Sequence, residues 1–230
     1  ELGEKEKAAY RSAVESGNLM AIRQVSWNTE RLEDSSKAQR LKEIWESAME
    51  QERKIIVFSF FRSTLDKVRT LLGEHCLDTV SGDISPARRQ EIVDEFNRAS
   101  PGAVLVSQVQ AGGTGLNIQA ASVIVFCEPQ LTPAIENQAI ARAYRMGQTR
   151  DVLVYRLLAD DTVDERMLEI LSSKQKEFDS FADESAVGTG QLEAMNAAEE
   201  GSRLTQMIKE EQARLAGKET ENAGDSTDKN

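Results

Sequence analysis

The chain has 230 residues and a formal net charge of −11, and 40% of its residues are hydrophobic, which is enough for one globular domain with flanking segments. With two cysteines and one histidine, the composition excludes a zinc site built from Cys and His alone and a disulfide framework. No run approaches the roughly 18 apolar residues of a membrane span, so no membrane partner is expected.

The acidity is unevenly distributed along the chain. Lys and Arg against Asp and Glu number 8 to 11 in residues 1–52, 15 to 15 in residues 53–176 and 5 to 13 in residues 177–230. A neutral central segment can still present a basic stripe on one face. Charge therefore neither supports nor excludes a nucleic-acid partner.

Residues 1–52 are predicted to form a helical lead-in segment. Leu41, Ile44, Trp45 and Met49 recur at helical spacing, which is typical of one apolar helix face. We expect this face to pack against the domain that follows.

Residues 53–176 are predicted to form a three-layer α/β domain with a mostly parallel sheet. Nearly continuous apolar runs, typical of strands covered on both faces, occupy 54–60, 103–108, 122–127 and 152–158, with a weaker candidate at 78–82. Helix starts lie between the runs. Their capping chemistry is carried by Ser63 with Asp66, Ser85 with Pro86, Thr132 with Pro133, and Thr162 with Glu165.

Residues 177–230 are predicted to be an acidic tail, partly helical and otherwise disordered. One marginal helix is expected from the apolar residues Leu192, Met195, Leu204, Met207, Ile208 and Leu215. The tail is expected to keep the chain soluble or to contact a protein partner.

The pattern ENQAIARAYRMGQ at 136–148 carries the first chemical signal. Gln138, Arg142 and Arg145 are four and then three positions apart, so a helix projects all three from one face. Two arginines aimed the same way repel each other and favour an anion, such as a transferring phosphoryl group. A solvated helix face with Glu136 as a neighbour is the alternative.

A second signal is the glycine-rich turn AGGTGLN at 111–117, which follows an apolar run. Glycines at Gly112, Gly113 and Gly115 let backbone N–H groups approach a phosphate, and a following helix start adds partial positive charge. A tight turn without a ligand would have the same sequence.

These two segments resemble the Swi/Snf family of superfamily-two helicases, whose last conserved motif has the form Q…R-x-x-R-x-G-Q. Further blocks that resemble the family, in chain order, are SSKAQRLKEIWESA (35–48), FSFFRSTLD (58–66), SGDISPARRQEIVDEF (81–96) and ADDTVDERM (159–167). The resemblance spans roughly residues 8–176. It implies the C-terminal RecA-like lobe, a P-loop NTPase-type fold, of an ATP-dependent DNA translocase.

The resemblance also implies roles for residues that match the motifs. Catalytic arginines would be Arg142 and Arg145, and nucleotide contacts would be Gly113, Gly115 and Gln138. Contacts to the backbone of double-stranded DNA would be Ser59, Arg62, Gly82, Ser107, Gln108 and Gly112. The cofactors would be ATP and Mg²⁺, held mainly by a preceding N-terminal RecA-like lobe, and the protein would lie in the bacterial cytoplasm or nucleoid or in a eukaryotic nucleus.

The phosphate cradle and metal ligand of such an enzyme are missing from this sequence. No G-x-x-x-x-G-K-[ST] occurs, and the Asp-Glu of IVDEF (92–96) follows the helix cap at Ser85 and is predicted to be helical. Both parts are therefore expected on the other lobe. We expect this chain alone to be inactive as an ATPase.

Three departures from the family leave a different function open. Gln110 replaces a usual lysine or arginine, Leu131 a usual tryptophan, and Tyr144 a usual histidine. They favour a non-catalytic nucleic-acid-binding module as the alternative. A dinucleotide-binding Rossmann domain fits less well, because the spacing is not G-x-G-x-x-G and Glu128 lies too close to the glycines.

Overall fold

The computed structural model describes residues 1–111, 118–143, 150–182 and 201–217. Its centre is a four-stranded parallel sheet of order β2-β1-β3-β4. The strands are β1 (Lys54–Ser59), β2 (Val104–Gln108), β3 (Ala121–Phe126) and β4 (Leu153–Arg156). The predicted parallel sheet is confirmed, with each strand at its predicted apolar run.

The strands read as continuous apolar runs because both faces of the sheet are covered. In β1, Ile55 and Val57 belong to the apolar cluster on one face, and Ile56 and Phe58 belong to the cluster on the other. Alternate residues of a strand point to opposite faces. Positions 55–58 of the run are therefore all core.

Eight α-helices surround the sheet within the described residues. They are α1 (Glu4–Glu15), α2 (Leu19–Gln24), α3 (Ser36–Glu50), α4 (Arg62–Leu72), α5 (Pro86–Arg98), α6 (Pro133–Ala143), α7 (Val163–Ala182) and α8 (201–217). Helices α3 and α4 contribute core residues to one face, and α5 and α6 to the other. The predicted three-layer α/β fold is confirmed.

Three of the four predicted helix starts agree with the structure and one does not. Helix α6 begins at Pro133, as the Thr132-Pro133 pair predicted. The Ser85 hydroxyl accepts a hydrogen bond from the Arg88 amide, and Thr162 accepts one from the Asp164 amide. Helix α4, however, begins at Arg62, and its N-cap residue is Phe61, whose side chain makes no capping hydrogen bond. The predicted cap at Ser63 is wrong, because the Ser63 hydroxyl donates to Gln24 Oε1 of α2 at 2.8 Å.

The weaker strand candidate at 78–82 is also corrected. Within 78–82 one isolated parallel bridge joins Val80 to Ser107 of β2, and a second bridge, from Cys76 to Val104, lies just before this stretch. They extend the sheet edge without forming a strand.

The lead-in segment packs against the domain as predicted. Leu41 and Ile44 of α3 are buried in the core, Trp45 packs beside them, and Met49 stays exposed. A third apolar cluster joins α1, α2, α7 and α8, with Tyr10, Val163 and Met207 among its buried members. Helix α8 includes four of the six apolar positions predicted for the tail helix; Leu192 and Met195 lie outside the described residues.

No helix in the described ranges is long and apolar enough to cross a membrane.

Candidate functional site

The proposed DNA contacts that the structure describes lie together at the carboxyl edge of the sheet. Ser59 pairs in register with Gln108 at the ends of β1 and β2. Gln108 Oε1 accepts a hydrogen bond from the Gly82 amide at 3.2 Å, and its Nε2 donates to the Phe60 carbonyl at 3.4 Å. Gln108 therefore joins the end of β1 to the loop that carries Gly82. Ser59 and Ser107 are themselves buried, at 0% and 1% exposure, so neither side chain is presented at the surface of this edge.

Arg62 borders this edge at the start of α4. Its side chain is 60% exposed and forms an ion pair with Asp83. An exposed pair of this kind contributes little to folding, so the guanidinium is available to an anion that displaces the carboxylate.

Arg89 organises the neighbouring loops, a role that no predicted site residue covers. Its guanidinium donates to the Gly82 carbonyl at 2.9 Å, the Ile84 carbonyl at 3.1 Å and the Ala111 carbonyl at 3.3 Å. It therefore links the loop before α5 to the residue that opens the glycine-rich turn. The block SGDISPARRQEIVDEF contained this residue and was the available signal.

Glu128 is a second residue whose role the sequence did not reveal. Its fully buried carboxylate accepts hydrogen bonds from the Ser59 hydroxyl at 2.9 Å and from the Phe60 amide at 2.7 Å. Burial raises the pKa of Glu128, while the Phe60 amide and the charge of Arg23 oppose that rise. The carboxylate thus fixes the loop in which β1 ends.

Arg142 lies near the end of α6 with only 7% of its surface exposed. Its Nη1 has no hydrogen-bond partner within the described part of the chain, and burial lowers its pKa. The Ile118 amide donates to the Arg142 carbonyl at 3.4 Å, so the residue after the glycine-rich turn contacts the arginine. Gln138, one turn earlier on α6, is exposed.

Glu136 does not serve as the neighbour that neutralises Arg142. Its carboxylate forms an ion pair with Arg156 at 2.6 Å and accepts from the Gln130 amide at 3.4 Å. The alternative in which Glu136 balances the arginines of a solvated face therefore loses its counter-charge.

The remaining predicted site residues, Gly112, Gly113, Gly115 and Arg145, lie outside the described residues, as does Tyr144. Among the described residues no group of three or more His, Cys, Asp or Glu side chains is arranged to hold a metal ion.

Comparisons with known proteins agree with this architecture. Residues 36–147 match the family model described as the helicase conserved C-terminal domain. An uncharacterised ATP-dependent helicase of Mycoplasma pneumoniae is 37% identical over 147 residues, 63% of this chain and 14% of that protein. The DNA repair protein RAD5B of Arabidopsis thaliana is 35% identical over 144 residues, 62% of this chain and 11% of that protein.

Solved structures show the same fold. The core domain of a Sulfolobus solfataricus SWI2/SNF2 ATPase superposes with a TM-score of 0.65 at 24% identity, covering 81% of this chain and 43% of that one. A structure of such a core in complex with double-stranded DNA gives a TM-score of 0.64 at 22% identity, covering 77% and 43%. This chain thus spans less than half of each relative or structure named here.

Proposed function

We propose that this chain supplies an arginine finger and part of the DNA grip to an ATP-dependent DNA translocase. The proposal is supported by the match of residues 36–147 to the helicase conserved C-terminal domain and by the similarity to the ATP-dependent helicase and the DNA repair protein named above. The other half of the active site, with the phosphate cradle and the Mg²⁺ ligand, would lie on an N-terminal RecA-like lobe. ATP would bind in the cleft between the two lobes.

The observation that carries the proposal is the unpartnered nitrogen of Arg142. A buried guanidinium without an acceptor is costly, and such groups are normally paired. Glu136 is committed to Arg156 at 2.6 Å, so the described residues leave Arg142 Nη1 to an external acceptor. A phosphate oxygen fits, because a guanidinium binds oxyanions with directional hydrogen bonds.

ATP supplies the transferable phosphoryl group. Arg142 would bind its oxygens and stabilise the charge that spreads over them, as arginine fingers do. Gln138 lies one turn away on the same helix and, like the undescribed Arg145, Gly113 and Gly115, remains a proposed contact.

The carboxyl edge of the sheet supports the proposed DNA contact. Ligands of open parallel α/β sheets bind outside the carboxyl ends of the strands. Here that edge presents Gly82 and Gln108, with Arg62 beside them held only by an exposed carboxylate. Backbone N–H groups, amide side chains and a displaceable arginine are typical partners of DNA phosphates.

The test of the arginine finger is Arg142→Ala in the protein or complex that contains both proposed lobes. DNA-stimulated ATP hydrolysis should fall by about 10³-fold or more, the usual effect of losing an arginine finger. Arg166→Ala is the matched control, because Arg166 is on α7 and pairs with Glu210 of α8; it should leave the rate unchanged. A fall of less than tenfold with Arg142→Ala would contradict the role.

The chain alone tests the second part of the proposal. We expect no ATPase activity from it, and weak binding to duplex DNA that weakens steeply as salt rises, because phosphate contacts release counterions. Fluorescence anisotropy at two salt concentrations measures this. Tight binding that salt does not affect would argue against a phosphate-tracking edge.

A non-catalytic nucleic-acid-binding module is the second candidate, and one observation favours it. Leu131, where relatives of this type usually carry tryptophan, packs against the third apolar cluster. The two candidates are separated by measuring whether DNA stimulates ATP hydrolysis by the wild-type protein that contains both lobes. A non-catalytic module would show no such stimulation.

A further inference from the structure

Arg23 connects the lead-in segment to the proposed DNA edge. It lies in α2, before the residues that match the helicase model, and is 2% exposed. Its guanidinium carbon lies 5.7 Å from the Phe60 ring centroid and 5.1 Å from that of Phe61, and its Nη2 donates to the Pro129 carbonyl at 2.8 Å. One side chain therefore contacts both the loop after β1 and the loop after β3.

The same two loops are joined from inside by Glu128. Its carboxylate receives the Ser59 hydroxyl and the Phe60 amide, and the Gln130 side chain donates to it at 3.3 Å. Arg23 and Lys37 are the cations whose charges favour its ionised form. Lys37, however, is already paired with Asp164 at 2.6 Å. Arg23 forms no ion pair among the described residues, and the charges of Glu128 and, more weakly, Asp164 act on it.

Packing alone does not account for an arginine at this place. Its Nε and Nη1 have no hydrogen-bond partner among the residues that the structure describes. A buried guanidinium is costly, and an apolar side chain of similar size usually fills such a space at lower free energy. What the guanidinium adds is a planar positive surface under two rings and a charge facing Glu128.

The geometry points to Arg23 as a positioning residue that holds the loops after β1 and β3 in register at the carboxyl edge, so that Arg62 and Gln108 face one ligand. It does not touch the proposed DNA itself. The link to DNA rests on the proposed function, whereas the link to loop geometry does not.

Hydrogen exchange tests the positioning without DNA. In Arg23→Met the amides of Phe60 and Phe61 should exchange about tenfold faster, the factor expected when roughly one net hydrogen bond is lost. Amides of β3 and α5 should keep their wild-type rates. Arg23→Lys, which restores the charge, should recover most of the protection.

The control is Arg31→Met. Arg31 belongs to the same lead-in segment, is 70% exposed and pairs with nearby Glu33. Its loss should therefore leave the exchange rates of the Phe60 and Phe61 amides unchanged. Unchanged exchange at Phe60 and Phe61 in Arg23→Met would overturn the proposal, and so would acceleration across all amides, which indicates general destabilisation. Equal acceleration in the Met and Lys variants would overturn the role of the charge.

A DNA titration separates this inference from the proposed function. If the wild-type chain does not bind duplex DNA, the DNA grip fails while the exchange result still decides the positioning. If the wild-type chain binds DNA, Arg23→Met should raise the Kd for duplex DNA by about the same factor as the exchange rates, roughly tenfold. Faster exchange with an unchanged Kd would overturn the link between Arg23 and DNA binding. Should the Met variant not fold, Glu128→Gln replaces it, with faster exchange confined to the same two amides as the supporting result.

Discussion

Replacing Lys37 by methionine should destabilise the chain strongly, because it removes one half of a buried ion pair. Lys37 Nζ lies 2.6 Å from Asp164 Oδ2, with the two side chains 4% and 5% exposed. Removing one partner of such a pair leaves an uncompensated buried charge and typically costs about 3–5 kcal/mol. The Ala159 amide still donates to Asp164 at 3.0 Å, so the expected loss is about 3 kcal/mol, at the lower end of that range.

Urea denaturation measures this loss as a change in the free energy of unfolding. Lys37→Met combined with Asp164→Asn should restore most of the stability, because the asparagine carries no charge and its Oδ1 can still accept the Ala159 amide. The control is Lys5→Met: Lys5 pairs with Asp34 at 2.9 Å but is 75% exposed, so its loss should leave the denaturation midpoint almost unchanged.

A loss below about 1 kcal/mol for Lys37→Met would refute the reasoning, because that is the size of a surface pair. The expected result would show that the lead-in segment and α7 stabilise each other across the domain. The boundary after residue 52 remains a prediction, and this pair is the direct test of whether the lead-in segment can be separated.

Two further predictions concern charge. Asp83→Asn frees Arg62 from its ion pair and should strengthen duplex binding severalfold with a steeper salt dependence, about one phosphate contact more; unchanged affinity and slope would exclude Arg62 from the DNA grip. Although burial alone would raise it, the hydrogen bond and charge of Arg214 hold the pKa of Glu211 below its ordinary value. The ionised Glu211 carboxylate therefore contributes its full stabilisation of the fold above the pKa of an unfolded-state glutamate, about 4.3. This contribution is lost as the pH falls through the lower pKa that Glu211 has in the folded chain. Circular dichroism should report loss of α8 over that range, and Glu211→Gln should remove this part of the pH dependence.

The sheet was predictable because its signal is local. Strands β1, β2 and β3 are buried on both faces, so a continuous apolar run is enough to place them, as residues 54–60 and 122–127 show. The Ser85 cap was predictable for the same reason, since its acceptor and donor are three residues apart. Ser63 failed because its hydroxyl bonds Gln24, 39 positions away, and no local pattern encodes that partner.

The residues of the site were predictable only where they belong to a recognisable sequence motif. Its matched residues at Ser59, Gly82 and Gln108 do meet at one edge, but the groups that position that edge do not resemble a motif. Glu128 was weighed only as the acidic residue of a dinucleotide-binding domain, and Arg23 lay in a segment that was predicted only as helical. Their roles depend on contacts between residues 69 and 106 positions apart, which periodicity and capping rules do not contain.

The buried arginines Arg23 and Arg142 share the same physical features but differ in their surroundings. Arg23 and Arg142 both carry a nitrogen without a partner among the described residues, and both have a pKa lowered by burial. Arg23 lies against the Phe60 and Phe61 rings, and the charge of Glu128 acts on it, so its positive charge is compensated within the chain. Glu136, the acidic residue on the Arg142 helix, pairs instead with Arg156. The same physical cost therefore supports two different proposals, an internal positioning role for Arg23 and an external anion for Arg142.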